Sequence, residues 1–206
     1  MTNELFVQYS KSIYNIDLSE KQLNQFAIYA SFLMEMNEHM NLISKSTIDN
    51  IYCKHFLDSI SICRFLDPKK SIVDIGFGAG FPSVPAIIIN PTIKWTLVDN
   101  DRTKCIFVKR LLNMLKIENV KIICGNINEV KLKSDILVSR AFASLDKLLP
   151  LGKKILNQEG CLLYLTVKDN CQNLPSDLYE VKSFSYQLPD VENLYFVHCI
   201  KINKRK

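Results

Sequence analysis

Apolar residues recur at helical spacing in the first part of the chain. Leu23, Phe26, Ala27, Ala30 and Leu33 follow one another at positions i, i+3, i+4, i+7 and i+10. That spacing is typical of an amphipathic helix, and Ser19 with Gln22 stands before it at capping-box spacing. A break around residues 41–46 precedes a second helical stretch at about 47–65. The pattern predicts a helical extension over residues 1–67.

The periodicity changes at Ser71, where short apolar runs begin to alternate with amphipathic stretches. The predicted strands are 71–75, 94–98, 120–124, 135–139, 161–167, 181–187 and 194–202. The predicted helices are 83–89, 103–115, 145–156 and a short piece near 126–130. Repeated strand–helix units indicate an α/β fold with a parallel, doubly wound sheet. The two closing strands favour the Rossmann-like variant of class I S-adenosylmethionine-dependent methyltransferases, over residues 68–206. We expect this domain and the extension to form one compact unit.

A glycine-rich loop follows the first predicted strand. Asp74 ends an apolar run and is followed by Gly76, Gly78 and Gly80. Glycines allow a backbone to approach a ligand where side chains would block it. The dinucleotide pattern G-x-G-x-x-G requires a glycine where Phe81 stands. A carboxylate at Asp74 repels a pyrophosphate and attracts the ammonium and sulfonium of S-adenosylmethionine, so the loop predicts S-adenosylmethionine as the cofactor.

Further polar residues follow the next three strands. Because ligands of such sheets bind at the carboxyl ends of the strands, these residues are expected to meet at one edge. Asp99 is placed to accept hydrogen bonds from both ribose hydroxyls, and the stretch 124–128, with Ile127 and Asn128, suits an adenine ring. Arg140 follows the fourth strand, where it overlooks the transferred methyl group.

Each of these residues also has a simpler interpretation. Asp99 could cap the following helix, and Asn128 could be a turn residue at the surface. Arg140 after a buried strand requires a carboxylate, phosphate or aromatic partner, and we prefer a role in the site. His55 and Asp58 stand one helical turn apart. A structural hydrogen bond between them is favoured over a catalytic pair.

Composition and charge indicate the compartment of the protein and the kinds of site it contains. The chain has 206 residues, a net charge of +5 and seven scattered cysteines without a C-x-x-C pair. This indicates reduced thiols in the cytoplasm and predicts no metal site. No apolar run approaches the roughly 20 residues of a membrane span, and no secretory signal is visible. Basic residues cluster at Arg102, Lys104, Lys109, Arg110 and Lys116, and again in the tail 201–206. They are interpreted equally well as solvated helix faces or as phosphate contacts.

Two motifs that the sequence lacks restrict the kind of atom that accepts the methyl group. Methylation of an exocyclic base amine usually comes with a D/N-P-P-aromatic run after the fourth strand, where this chain has Ser139-Arg140-Ala141-Phe142. Methylation at a pyrimidine C5 needs a nucleophilic cysteine, commonly preceded by proline, and no cysteine here follows a proline. What remains is an acceptor that already carries an available lone pair. A purine ring nitrogen fits, because its lone pair attacks without prior proton removal and needs only alignment.

Four segments resemble the RsmG (GidB) family of bacterial 16S ribosomal RNA guanine-N7 methyltransferases. They are 41–44 (N-L-I-S), 55–59 (H-F-L-D-S), 74–85 (D-I-G-F-G-A-G-F-P-S-V-P) and 139–145 (S-R-A-F-A-S-L). The resemblance implies cofactor contacts at the positions of Gly76, Phe81, Ile127, Asn128 and Arg140. It also implies 16S ribosomal RNA or the small ribosomal subunit as the partner.

The resulting hypothesis is a methyltransferase acting on N7 of a guanosine in 16S ribosomal RNA, expected to be a monomer. Arg102 and Lys104 are candidates for RNA contacts, and Arg140 and Lys168 for positioning the base. Two alternatives stay open. One is a non-catalytic assembly factor that binds cofactor and RNA. The intact glycine loop argues against this alternative, because a site without catalytic activity has little reason to keep it. The other is a methyltransferase of another substrate, a small molecule or a protein.

Overall fold

The N-terminal extension is helical, as its periodicity predicts. A computed structural model of the protein describes residues 3–203. Helix α1 spans Asn3–Tyr14 and α2 spans Glu20–Met40. The Ser19 hydroxyl accepts the Gln22 amide hydrogen while the Gln22 side chain accepts from the Ser19 amide, so the predicted capping box is confirmed. The inner face of α2 buries Phe26, Tyr29 and Leu33 completely.

The segment after α2 is less regular than predicted. In place of one helix at 47–65, the chain forms α3 (Lys45–Ile48), a π-helical segment (Ile51–Leu57), α4 (Asp58–Ile60) and a 3₁₀ segment (Ser61–Phe65). The Ser61 hydroxyl donates to the Asp58 carbonyl at 2.6 Å, and Ser59 donates likewise to the carbonyl of His55. Because such side-chain donors compete for backbone carbonyls, the regular α-helical ladder is interrupted here.

Within residues 3–203, seven strands form one sheet in the order β3-β2-β1-β4-β5-β7-β6. Their bounds are β1 Ile72–Ile75, β2 Trp95–Asp99, β3 Val120–Cys124, β4 Ser134–Arg140, β5 Leu156–Thr166, β6 Tyr179–Gln187 and β7 Leu194–Ile202. Strands β1 to β5 pair in parallel, while β7 pairs antiparallel with both β5 and β6. The carboxyl ends of β1, β2, β3 and β4 therefore lie along one edge, as predicted.

Three helices complete the layers on the sheet. They are α5 (Ser83–Ile89), α6 (Arg102–Met114) and α7 (Leu145–Ile155), and Pro150 lies inside α7. The short helix predicted near 126–130 is wrong, because residues 127–129 form a turn. The Asn126 side chain accepts the Asn128 amide hydrogen at 3.0 Å and thereby favours the turn over a helix.

The N-terminal helices share a core with one face of the sheet. Phe26 of α2, Phe56 of the π-helical segment and Phe81 after the glycine loop belong to one buried cluster that includes Leu97 of β2. A second cluster lies between α7 and the sheet. The helical extension is therefore packed directly against the elements that position the site. The domain boundary at 67/68 stays a prediction.

Three classes of feature are not found in residues 3–203. None of their helices has the length and hydropathy needed to cross a membrane. No group of three or more His, Cys, Asp and Glu side chains in this range could hold a metal ion. All seven cysteines are free thiols.

Candidate active site

The glycine loop makes the backbone turn sharply after β1. Gly76, Gly78 and Gly80 have φ angles of +71°, +56° and +99°, which only glycine adopts readily. A Cβ at Gly76 would collide with the Phe142 ring, and one at Gly80 with Val84 and the Tyr29 hydroxyl. At Gly78 it would meet nothing within 4 Å. Gly76 and Gly80 thus serve packing as well, whereas Gly78 borders open space that a ligand can enter.

Asp74 lies in β1 and is completely buried. Its Oδ2 accepts a hydrogen bond from the Ser83 hydroxyl, and its Oδ1 is buried without a hydrogen-bond partner. Burial raises the pKa of this carboxyl to about 8. A buried acceptor without a donor is costly, so the residue fits a neighbouring ligand that carries positive charge.

Asp99 ties the end of β2 to the glycine loop. Its Oδ2 accepts the Gly78 amide hydrogen at 2.9 Å, and its Oδ1 accepts that of Asp101 at 3.0 Å. The N-cap of α6 is Asp101, whose side chain accepts from the amides of Thr103 and Lys104. The simpler interpretation of Asp99 as a helix cap is therefore wrong. Each oxygen of Asp99 keeps a lone pair for a further donor, so ribose binding stays a prediction.

A small cavity of about 40 Å³ opens where the strand ends meet. Its lining residues are Gly76, Val98, Asp99, Asn100, Gly125, Asn126, Ile127 and Phe142. The structure thus brings three of the predicted cofactor residues together, those at positions 76, 99 and 127. The Phe142 ring lies against Gly76. Ligand pockets for molecules of cofactor size measure roughly 300–1,000 Å³, so the lining residues, Phe142 among them, leave less room here than such a ligand requires.

The other predicted cofactor residues do not line this cavity. Asn128 is exposed and belongs to the turn, where its carbonyl accepts from Lys154. Phe81 packs inside the molecule, stacked at 5.3 Å between ring centroids with Tyr29 and at 4.8 Å with His55. It therefore joins the glycine loop to the helical extension. Roles for Asn128 and Phe81 in cofactor binding stay predictions.

Arg140 has the carboxylate partner that its position requires. Its Nε lies 2.8 Å from Oδ2 of Asp58, its Nη2 donates to the Lys54 carbonyl at 2.8 Å, and its guanidinium stands 5.6 Å from the Phe81 ring. The Tyr186 hydroxyl donates to Oδ1 of Asp58 at 2.6 Å. Both charges are thus paired inside the protein, with only 3% of the Asp58 side chain exposed.

The expected hydrogen bond between His55 and Asp58 is wrong. His55 Nε2 lies 2.9 Å from the Thr47 hydroxyl, and Asp58 faces Arg140 instead. The irregular winding of residues 45–65 explains the difference. His55 lies in the π-helical segment and Asp58 begins α4, so the two side chains are not one regular α-helical turn apart. Burial, together with the charges of Arg140 and Lys54, lowers the pKa of His55 to about 3. The imidazole is therefore neutral and a weak base.

A larger cavity of about 410 Å³ lies beside these residues, at the ends of β4 and β5. Its lining residues are Thr47, Lys54, His55, Asp58, Arg140, Ala141, Tyr164, Leu165, Thr166, Val167 and Tyr195. The sequence interpretation missed Lys54, Tyr164 and Tyr195. Lys168 is exposed just beyond β5 and does not line this cavity.

The candidate RNA contacts Arg102 and Lys104 line neither of these two cavities. Arg102 lines a groove between α6 and the edge strand β3, together with Lys109 and the exposed Ile106. Lys104 pairs with Asp101 at 3.6 Å. Lys204, Arg205 and Lys206 of the basic tail lie outside the described residues. RNA contacts by Arg102 and Lys104 stay predictions.

The comparison with known families decides the assignment. Residues 22–203 match the family model GidB, described as rRNA small subunit methyltransferase G. The chain belongs to this family. The resemblance found in four sequence segments is thereby confirmed over most of the chain.

Individual members of the GidB family agree with this assignment. The ribosomal RNA small subunit methyltransferase G of Lysinibacillus sphaericus (strain C3-41) is 32% identical, with 100% of this chain and 94% of the relative covered. The protein of the same name from Lactobacillus acidophilus is 37% identical over 73% of this chain and 68% of the relative.

Solved structures share the fold at low sequence identity. The M. jannaschii TYW2 structure in complex with AdoMet matches with a TM-score of 0.59 and 13% identity, covering 79% of this chain and 78% of that one. The ribosomal protein L11 methylase of Lactobacillus delbrueckii subsp. bulgaricus matches with a TM-score of 0.58 and 14% identity, covering 73% and 79%. The predicted class I methyltransferase sheet with N-terminal helices is therefore confirmed.

Proposed function

We propose that the protein transfers a methyl group from S-adenosylmethionine to N7 of a guanosine in the 16S RNA of the small ribosomal subunit. It acts in the cytoplasm as a monomer without a metal ion. Membership of the GidB family supports the ribosomal substrate. The chemistry of the two adjoining cavities supports the cofactor and the acceptor atom.

The cofactor residues fit S-adenosylmethionine, which supplies an electrophilic methyl group when bound. Gly78 leaves open space above the loop, and Asp99 offers free lone pairs at the ribose position. Asp74 supplies negative charge once a cationic ligand favours its ionised form over the protonated form that burial favours, and its Oδ1 has no donor. Arg140, whose charge is balanced by Asp58, borders the space where acceptor and donor meet.

N7 is proposed as the acceptor because the described residues that line the larger cavity provide no effective base. Of its described lining residues, His55 has a pKa lowered to about 3 and Asp58 is committed to Arg140 and Tyr186. An amine, hydroxyl or carbon acceptor needs proton removal near the transition state. A purine N7 needs none, because its lone pair attacks the methyl group directly. Catalysis then rests on alignment of the two reactants in a site that excludes water.

Positive charge supports an RNA partner. Arg102, Lys104 and Lys168 are exposed or half-buried at the surface, and the net charge of +5 favours contact with phosphates. Because phosphate contacts release counterions, binding to the RNA is expected to weaken with rising salt, while cofactor affinity changes little.

Asp74 makes cofactor binding dependent on pH. Its carboxyl is largely protonated below its pKa of about 8, and a cationic ligand favours the ionised form. The affinity for S-adenosylmethionine should therefore rise as the pH is raised from about 6 to about 8, by up to about tenfold per pH unit. Calorimetric titration over this range measures the effect. Asp74→Asn should remove the dependence, and the exposed Asp146→Asn control should keep it; an identical profile in Asp74→Asn contradicts the role of Asp74.

Labelled methyl transfer tests the proposed function. The protein is incubated with methyl-labelled S-adenosylmethionine and with either naked 16S RNA or isolated small subunits, and the digested RNA is analysed for its nucleosides. Labelled 7-methylguanosine is the expected product. Bound cofactor and RNA without transfer would instead establish the assembly factor. Transfer only to protein or to small molecules would establish the other alternative.

A further inference from the structure

Three consecutive residues at the end of β4 line the larger and the smaller cavity. Arg140 and Ala141 line the larger cavity, while Phe142 lines the smaller one. Resting on the proposed function, we propose that the larger cavity receives a single guanine turned out of the RNA. Its ring stacks on Tyr195, and its O6 accepts a hydrogen bond from Lys54.

The size of the cavity suits one extruded base. Its volume of about 410 Å³ falls in the roughly 300–1,000 Å³ typical of small-ligand pockets. Enzymes that act on a base atom commonly take the nucleotide out of its stack into such a pocket. Because consecutive residues of the segment 140–142 line the two cavities, a base in the larger cavity lies next to the space proposed for the methyl donor, and its N7 must reach the methyl carbon with no protein atom between them.

Tyr195 supplies the stacking surface. It lies in β7 next to Phe196, which pairs with Thr166 at the carboxyl end of β5. Its side chain is half-buried and lines the cavity. The Tyr186 ring, 5.8 Å away between centroids, supports it from the protein side. Burial raises the pKa of the Tyr195 phenol, so the ring is neutral. Unstacked bases are commonly recognised on such aromatic side chains.

Lys54 supplies the polar recognition. Within residues 3–203 its ammonium has no ion pair or hydrogen bond, whereas the guanidinium of Arg140 pairs with Asp58 and donates to the Lys54 carbonyl. The bond from Arg140 to the Lys54 carbonyl fixes the backbone that carries the lysine. An ammonium only donates. Guanine presents the acceptors O6 and N7 on its major-groove edge, whereas adenine presents an amino donor beside N7. Lys54 therefore selects guanine at O6 and leaves the N7 lone pair free to react.

Four variants at the two positions test the inference, with small subunits as substrate. Tyr195→Ala should lower kcat/KM for the RNA by roughly 10- to 100-fold, and Tyr195→Phe should restore most of the rate because it keeps the ring. Lys54→Met should lower kcat/KM by about tenfold, and Lys54→Arg should restore part of it. Lys69→Met, an exposed lysine away from the cavity, is the matched control and should match the parent protein. Cofactor affinity should change less than about twofold in every variant, which separates a lost base contact from misfolding.

A modified substrate isolates the O6 contact. Once the acceptor guanosine is mapped, replacing it with 2-aminopurine removes O6 and keeps N7. The rate of the parent protein should be about tenfold lower on this substrate than on the guanosine substrate. The rate of Lys54→Met should differ little between the two substrates, because this variant already lacks the O6 contact. If the parent protein makes 7-methylguanosine and Tyr195→Ala and Lys54→Met do so at the parental rate, this inference is overturned while the proposed function stands. If the parent protein makes no 7-methylguanosine, the proposed function fails and this inference fails with it.

Discussion

Asp58→Ala is expected to lower the free energy of unfolding by about 3–5 kcal/mol, the usual cost of removing one partner of a buried ion pair. Without Asp58, the guanidinium of Arg140 loses its carboxylate and the hydroxyl of Tyr186 loses its acceptor. Both donors then remain largely buried without their partner, since Tyr186 is buried and only 18% of the Arg140 side chain is exposed. Urea denaturation followed by circular dichroism measures the change.

Two controls separate this effect from the removal of any surface charge. Asp17→Ala breaks the pair with Lys11, whose side chains are 80% and 51% exposed, and should cost no more than about 1 kcal/mol. The double variant Asp58→Ala with Arg140→Ala should be more stable than Asp58→Ala alone, since it no longer buries an unpaired charge. Equal, small losses for Asp58→Ala and Asp17→Ala would contradict the structural role assigned to the pair.

Gly78→Val is expected to weaken S-adenosylmethionine binding by roughly 100-fold or more, while the fold survives. Gly78 has a φ of +56° and borders open space, so a valine side chain would extend into the volume that the ligand requires. Because no described atom outside Gly78 and its two chain neighbours lies within 4 Å of the added Cβ, the main cost to stability is backbone strain of about 1–2 kcal/mol. Calorimetric titration of the cofactor measures the affinity.

Gly78→Ala serves as the matched control, because alanine shares the backbone strain and adds much less volume. It should bind the cofactor with an affinity between those of the parent protein and Gly78→Val, at nearly the same thermal stability as the valine variant. Unchanged affinity in Gly78→Val would refute the placement of the cofactor above this loop.

Local patterns along the chain were sufficient to predict the sheet. The strands β3 and β7 were predicted at their observed bounds, and the helix 83–89 was as well. Each of these has an apolar pattern bounded by turn residues, so local signals and tertiary packing agree. The glycine loop was likewise predicted, since its chemistry is contiguous in sequence and only its backbone conformation needed the structure.

The failures occur where side chains bond to the backbone or to distant residues. The turn at 127–129 is fixed by Asn126, and the irregular winding of 45–65 involves Ser59 and Ser61 as donors to carbonyls. Helical periodicity contains no signal for such bonds. The Asp58–Arg140 pair joins residues far apart in the chain, and Tyr195 comes to the cavity only through the pairing of β5 with β7. Single-sequence patterns do not contain that information.

Replacing the acceptor atom tests the central claim most directly. Transcribed 16S RNA is prepared with guanosine or with 7-deazaguanosine, which has a carbon in place of N7, and is assayed both naked and assembled into small subunits. We predict labelled 7-methylguanosine from the guanosine RNA and no methyl transfer to the 7-deazaguanosine RNA, with comparable binding of the two. Methyl transfer to the 7-deazaguanosine RNA, or a product other than 7-methylguanosine from the normal RNA, would contradict N7 as the acceptor.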